Sequence, residues 1–348
     1  MKRFTIPRST GEVLPNKAKI RDVARAAAVS VGTVSRVLNE HPTVTAPVRE
    51  RVRAAIDALG YERDSIAQSM RGGTTHLVAC AIRDFDIPRF ATFIKEAERV
   101  LREAGYTLIL ASTSNSAEVE VGLLRAFAAR RVDGVMTTIS DESNPAVATA
   151  LRDAPMPVLL IDRDLPGRAD RVFADHGAGV QAAARHLLDM GHRRIAMLVG
   201  DTRAFPSRSR VAGFEGSVAP EARLLRERVL TAEDAFRETT SLMSLPEPPT
   251  ALIIGAMDML GGCLRALKAV GARLGQDVSV IAGSDSELAE LMEPGVTAIA
   301  WDLAEMGRHA AAMLLERMRG TAPDSGRSLK LPTRLVVRQS CRPPVSLS

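Results

Sequence analysis

The chain has 348 residues, room for roughly two to three domains of ~100–200 residues, and its 46% hydrophobic and 25% charged content excludes a disordered or fibrous chain. No apolar run reaches the ~18 residues of a membrane span, and the opening MKRFTIPRST lacks the apolar stretch of a signal peptide, so a cytoplasmic protein with no membrane partner is expected. The net charge of +5 is uneven: residues 1–72 hold 13 Lys and Arg against 7 Asp and Glu, the remainder 33 against 34. A basic head on a near-neutral body predicts a polyanion-binding module, and with only 3% aromatic residues for stacking on single strands the expected polyanion is duplex DNA.

Residues 1–17 mix charges with Pro7, Gly11 and Pro15 without periodicity and read as a mobile N-terminal tail. From Ile20 the apolar positions turn helical: Ile20, Val23, Ala24 and Ala27; then Val34, Val37 and Leu38; then Val48, Val52, Ala55, Ile56 and Leu59. Three short helices follow, with Thr45 placed to cap the third, Pro47 tolerated in its first turn and Gly60 ending it. Residues 18–61 are therefore expected to form one all-α domain, and 62–73 a linker before the junction Gly72, Gly73, Thr74 and Thr75.

From Leu77 strand-length apolar runs alternate with helical segments: LVACAI at 77, YTLILA at 106, VDGVMTT at 132, PVLLID at 157, RIAMLVG at 194, ALIIG at 251 and VSVIAG at 278. Continuous apolar strands are buried on both faces, and the alternation implies parallel sheets covered by helices. Residues 74–340 are read as two α/β subdomains, and 341–348 as a C-terminal tail.

The stretch IRDVARAAAVSVGTVSRVLN (20–39) holds two helices joined by a tight connection at Ala28, Val29 and Ser30, the geometry of a helix-turn-helix. Gly32, Ser35, Arg36 and Asn39 fall on one polar face of the second helix, which fits a major groove but also fits a solvated surface. In a groove, Arg36 can hold guanine O6 and N7 in a bidentate contact, Ser30, Thr33 and Ser35 suit phosphates or base edges, and Asn39 suits either.

These residues, with VRERVRAAIDALGY (48–61), SIAQSMRGG (65–73), AGYTLILAS (104–112), PVLLIDRDLPG (157–167), HLLDMGHRRIAMLVG (186–200), SRSRVAGFEGS (207–217) and VSVIAGSD (278–285), resemble the lactose-repressor and purine-repressor family of bacterial transcription regulators. The likeness runs from about residue 18 to 340. It implies a dimeric repressor of double-stranded operator DNA whose body looks like a periplasmic sugar-binding protein: two α/β lobes with a cleft for a small-molecule effector. It implies that 62–73 form a hinge helix in the minor groove with Met70 as the apolar wedge. Val31 and Gly32 occupy the positions that most vary operator preference in the family. The chain departs from the family at Lys19, which replaces a capping threonine, and at Ala28, which replaces a turn glycine at a cost of ~1 kcal/mol if φ is positive there.

No P-loop, GxGxxG, GxSxG, HExxH or SxxK occurs, so no enzyme constellation is visible. Cys80, Cys263 and Cys341 are odd in number and form no CxxC, so neither a disulfide framework nor a metal or other cofactor is implied. His186 and His192 read as surface or capping residues. By position in the family, Asp162 after PVLLI, Arg210 in the loop after RIAMLVG, and Asp285 after VSVIAG would face the effector, with Phe90 and Trp301 covering an apolar sugar face. An arginine fork and carboxylates suit adjacent hydroxyls, hence a sugar, sugar acid or polyol. The family's pocket asparagine is Met257 here, and its aromatic before Asp285 is Ser284. The competing reading is a cytoplasmic α/β binding protein or enzyme whose basic head holds nucleic acid loosely. The ending CRPPVSLS is too short and proline-broken for a tetramerising coiled coil, so assembly is expected to stop at dimers.

Overall fold

The computed structural model describes residues 18–38, 40–61, 73–85, 88–165 and 167–344, without the side chains of Pro88, Arg89 and Met257. The expected mobile tail (1–17), Asn39, Met70 and nearly all of the hinge segment lie outside the described residues. The chain separates into two compact units, Met1–Thr75 and His76–Ser348.

In the first unit, helices Ile20–Ala26, Val31–Leu38 and Ala46–Leu59 close around Val23, Ala24, Val34, Val37, Val52 and Ala55. Two helix ends use the same hydrogen-bond pattern with different residues. After the first helix, Ala28 N donates to Arg25 O (3.2 Å) and Val29 N to Ala24 O (3.0 Å); after the third, Gly60 N donates to Asp57 O (3.3 Å) and Tyr61 N to Ile56 O (3.0 Å). Both patterns need a left-handed residue, and φ is +57° at Gly60 but +52° at Ala28, whose Cβ meets the steric cost a glycine avoids. Lys19 is compensated differently: Asp22 Oδ2 accepts its backbone N–H at 2.9 Å. Thr45 occupies the N-cap of the third helix, but its side chain accepts no capping hydrogen bond.

The second unit contains two six-stranded sheets among its described residues. Strands β1 (Leu77–Ile82), β2 (Thr107–Ser112), β3 (Gly134–Thr137), β4 (Val158–Ile161), β5 (Asp170–Ala174) and β11 (Ser328–Leu331) form the first, all parallel, in the order β11-β5-β4-β3-β1-β2. Strands β6 (Ile195–Leu198), β7 (Arg223–Arg226), β8 (Ala251–Ile254), β9 (Ser279–Ala282), β10 (Thr297–Ala300) and β12 (Arg334–Val336) form the second, in the order β12-β10-β9-β8-β6-β7, antiparallel only at β10–β12. The chain passes between lobes three times, after β5, after β10 and after β11. Helix Leu303–Met318 thus returns to pack Met306, Ala310, Ala311 and Leu314 into the first lobe's core.

Five strands were not evident in the sequence. β5 (DRVFA), β7 (RLLR), β11 (SLKL) and β12 (RLV) carry charges among their apolar residues, and β12 has only three residues, while β10 (TAIA) is as long as several strands that were found but is built mostly of small residues. The supposed tail also begins too early, because Cys341 is buried and Arg342 O accepts from Ser279 Oγ at 3.1 Å. His192 is neither a surface nor a capping residue. It is 1% exposed and its ring nitrogens reach Thr250 Oγ1 (2.8 Å), Ser279 Oγ (3.1 Å) and Arg342 O (3.0 Å), tying this last segment to β9. All three cysteines are free and buried, and burial pushes the Cys80 and Cys263 thiols up to about 12.

Candidate functional site

On the second helix of the head, Val31, Gly32 and Arg36 are exposed, as is Ser30 just before it, and Thr33 and Ser35 are half-buried. Ser30 also acts locally, since its Oγ accepts Thr33 N at 3.1 Å and lies 2.9 Å from Thr33 Oγ1, capping the helix start. The exposed Arg36 side chain forms no hydrogen bond or ion pair among the described residues, which leaves its guanidinium as an unengaged donor fork.

In the body, a cleft partly open to solvent lies where the strands of both sheets end. Arg83 follows β1, Thr138 and Ser140 follow β3, Asp162 and Arg163 follow β4, Gly200 and Asp201 follow β6, Ser284 follows β9 and Trp301 follows β10; all of them line it. This is the carboxyl-end crevice in which open α/β sheets bind ligands. Phe90, Leu303 and Met306 contribute apolar wall.

Two polar groups that line the cleft, Asp162 and Arg210, are linked through His176. His176, the first residue of helix His176–Asp189 and 1% exposed, places Nε2 2.7 Å from Asp162 Oδ1 and Nδ1 3.1 Å from Arg210 Nη2. Trp301 sets its ring edgewise to the imidazole, with centroids 5.1 Å apart. Burial works to raise the Asp162 carboxyl, but the imidazole and the Arg163 and Arg210 charges outweigh it and hold the group below the usual carboxylate range. Burial, helped by the Arg210 charge, lowers His176 and favours its neutral form. Burial also brings Arg210 down to about 10, where it stays charged at neutral pH. Only one of the Arg210 side-chain nitrogens has a hydrogen-bond partner among the described residues, and the residue lines the cleft.

Close packing allows this linkage. Arg210 lies on helix Phe205–Glu215, not in a loop as the sequence suggested, and that helix touches His176–Asp189 where Gly213 meets Gly177. A Cβ at Gly213 would stand 2.4 Å from Gly177 O. A second polar bridge crosses the cleft nearer its mouth, where Arg83 Nη2 of the first lobe pairs with Asp258 Oδ2 of the second at 2.7 Å.

Of the expected effector residues, Phe90, Asp162, Arg210 and Trp301 line the cleft. Asp285 does not: its Oδ1 accepts from Arg338 Nη1 at 2.8 Å and from Ser286 N at 3.0 Å, while the preceding Ser284 faces the cleft. Successive residues leaving a strand point to opposite sides, so a shift of one position moves a side chain out of the site. His176, Arg83 and Arg163 were not foreseen. The available signal for His176 was its place in DHGAG, a capping Asp175 followed by small residues at a helix start, which brings the helix end close to whatever it faces.

Residues 19–64 match the family described as bacterial regulatory proteins, lacI family, and residues 184–341 match the periplasmic binding protein-like domain. The HTH-type transcriptional repressor PurR of Vibrio vulnificus (strain CMCP6) is 30% identical over 332 residues, covering 93% of this chain and 99% of that protein. PurR of Haemophilus influenzae (strain PittEE) is 30% identical over 336 residues with the same coverage. Among solved structures, the lac repressor dimer bound to operator and the anti-inducer ONPF superimposes with a TM-score of 0.83 at 25% identity, covering 94% of this chain and 100% of that one. The complex of the transcriptional regulator CelR with cellobiose gives 0.69 at 28%, covering 93% and 99%.

Proposed function

The chain belongs to the lacI family of bacterial regulatory proteins, and on that footing we propose that it is a ligand-controlled repressor that binds double-stranded operator DNA as a homodimer in the cytoplasm. It is a transcription factor, not an enzyme. Base reading falls to Arg36 with Val31, Thr33 and Ser35 on the exposed helix, and to Asn39, while Gly32, which has no side chain to read a base, lies among them; Ser30 and neighbouring groups supply phosphate contacts, and Met70 the minor-groove wedge.

The effector is a small hydroxylated molecule (a sugar, sugar acid or polyol) held between the lobes. One observation carries this reading: the buried Arg210 fork, set by His176 against the Asp162 carboxylate, opens into a cleft walled by Phe90 and Trp301. A charged fork beside an acceptor suits adjacent hydroxyls, and the rings suit the apolar face of a sugar.

A thermal-shift screen of the full chain against sugars, sugar acids, polyols and nucleobases tests the ligand class. A ligand bound only by the native state raises the melting temperature by mass action. A shift confined to nucleobases would overturn the hydroxylated class. Gel shifts on upstream DNA with excess competitor test the DNA reading, which predicts retention of a specific band where uniform, salt-labile binding is competed away.

A further inference from the structure

Apart from the ligand-facing groups, the loop between β3 and helix Pro145–Arg152 carries a second set of contacts from the first lobe to the second. Glu142 Oε1 accepts the backbone N–H of Phe205 at 2.9 Å, and its Oε2 accepts from Arg208 Nη2 at 2.6 Å. Glu142 N donates to Arg203 O at 3.2 Å, and beside it Asp141 Oδ2 pairs with Arg203 Nη1 at 3.0 Å. The Glu142 side chain is only 6% exposed.

Phe205 begins the helix that carries Arg210, and the residue at its N-cap is Ala204, which has no side-chain oxygen for the free amides of the first turn. The missing acceptor therefore comes from the other lobe. A carboxylate is favoured there twice, by the partial positive charge of the helix start and by Arg208 on the same helix. The loop that presents it is itself pinned: Ser140 N donates to the buried Glu120 Oε1 at 2.7 Å, and Ser143 N to Asp141 Oδ1 at 2.8 Å.

We propose that Glu142 is a positioning residue that clasps the lobes, capping from one lobe the helix that sets Arg210 in the other, so that cleft closure and placement of Arg210 are a single event. Parting the lobes removes the cap and the Arg208 pair together, and the helix start is left to water. The clasp rests on the ligand-sensing reading for its purpose but not for its existence, since its contacts run between protein groups alone.

The test measures interlobe distance in the full chain without ligand. Spin labels replace Glu118 and Glu221, which are exposed on opposite lobes, in chain diluted with excess unlabelled protein so that a dimer carries one labelled protomer; the native cysteines are buried, so only the introduced thiols react. The parent protein gives one narrow distance distribution. Arg208→Met, at a half-exposed position where folding is not at stake, raises a longer-distance population by roughly tenfold or more, the loss expected for a charge-assisted hydrogen bond. Glu142→Ala makes that population dominant, and Glu142→Gln, which keeps an oxygen for Phe205 N–H, restores part of the closed state. Parent-like distributions in Arg208→Met and Glu142→Ala overturn the clasp, and a Gln variant no better than Ala overturns the capping role. With no ligand in the experiment, either failure leaves the ligand-sensing reading where it stood.

Discussion

Arg210 Nη2 donates to His176 Nδ1 at 3.1 Å, and because a guanidinium has only donors, Nδ1 must be bare and the proton must sit on Nε2, facing the Asp162 carboxylate 2.7 Å away. The imidazole is therefore neutral, with its tautomer assigned by its partners. A second proton would remove the acceptor that holds Arg210. Burial lowers the His176 pKa from the ordinary 6.5, and it lowers His186 and His192 as well. Between the unfolded and folded values the unfolded chain binds more protons, so stability is fully present above pH ~6.5 and declines as pH falls below it. Melting temperatures from pH 7.5 down to 5.5 should show that decline, and His176→Asn should make it shallower, leaving the part due to His186 and His192. An unchanged slope in the variant would mean that His176 titrates normally.

Arg210→Ala removes a charge-assisted donor worth ~1.5–3 kcal/mol, so effector affinity should fall roughly 10- to 150-fold while operator affinity without effector is retained. Fluorescence anisotropy on an operator, with the ligand found by the thermal screen, distinguishes the two effects. A variant that responds at the parent protein's ligand concentration would place Arg210 outside the site.

The parts of this protein that were legible in the sequence are those with a strong local pattern. The head's helices follow the spacing of Val23, Val34, Val37 and Val52. The seven apolar runs all became strands, six of them buried along almost their whole length and the seventh, β2, at a sheet edge. Phe90, Asp162, Arg210 and Trp301 could be placed through the family resemblance. What stayed hidden depends on tertiary contact. A histidine wedged between a carboxylate and a guanidinium leaves no periodic trace, and neither does a glutamate that caps a helix 63 positions away. The exit of Asp285 from the cleft was equally invisible, since it turns on the direction of one residue beyond a strand end.

Ala28 carries left-handed strain of about 1–2 kcal/mol, whereas a glycine there would lose about 0.5–1 kcal/mol more backbone entropy on folding. The strain is the larger, so Ala28→Gly should stabilise the head by up to about 1 kcal/mol. Amide exchange of the three head helices in the full chain should slow accordingly, while that of the body stays constant. Faster exchange in the head would show that the entropic cost dominates.

The Arg36 side chain is exposed and has no partner among the described residues, so replacing it costs the fold little. If it reads a guanine edge, Arg36→Ala should weaken specific binding by about 1–3 kcal/mol and relax the preference at one base pair. A phosphate contact would instead lower affinity for all sequences alike and reduce the salt slope by about one. Competition titrations with single-base operator variants at two salt concentrations separate the outcomes.

Gly213 sits under a tight geometric demand. The helices Phe205–Glu215 and His176–Asp189 meet backbone to backbone at Gly213 and Gly177, and that approach lets Arg210 on one reach His176 on the other. In Gly213→Ala the new methyl would sit 2.4 Å from Gly177 O and 3.0 Å from Gly177 Cα, main-chain atoms that cannot rotate aside. The helices must separate, at the ~1–3 kcal/mol typical of overpacking. Separation also lengthens the Arg210–His176 contact, so the variant should lose effector response beyond what its stability loss explains. Ser217→Ala supplies the comparison, because its Oγ bonds Gly213 O on the same helix end without touching the helix contact. If the two variants lose similar stability and both still respond to effector, the close approach at Gly213 serves packing alone and Arg210 is held by other means.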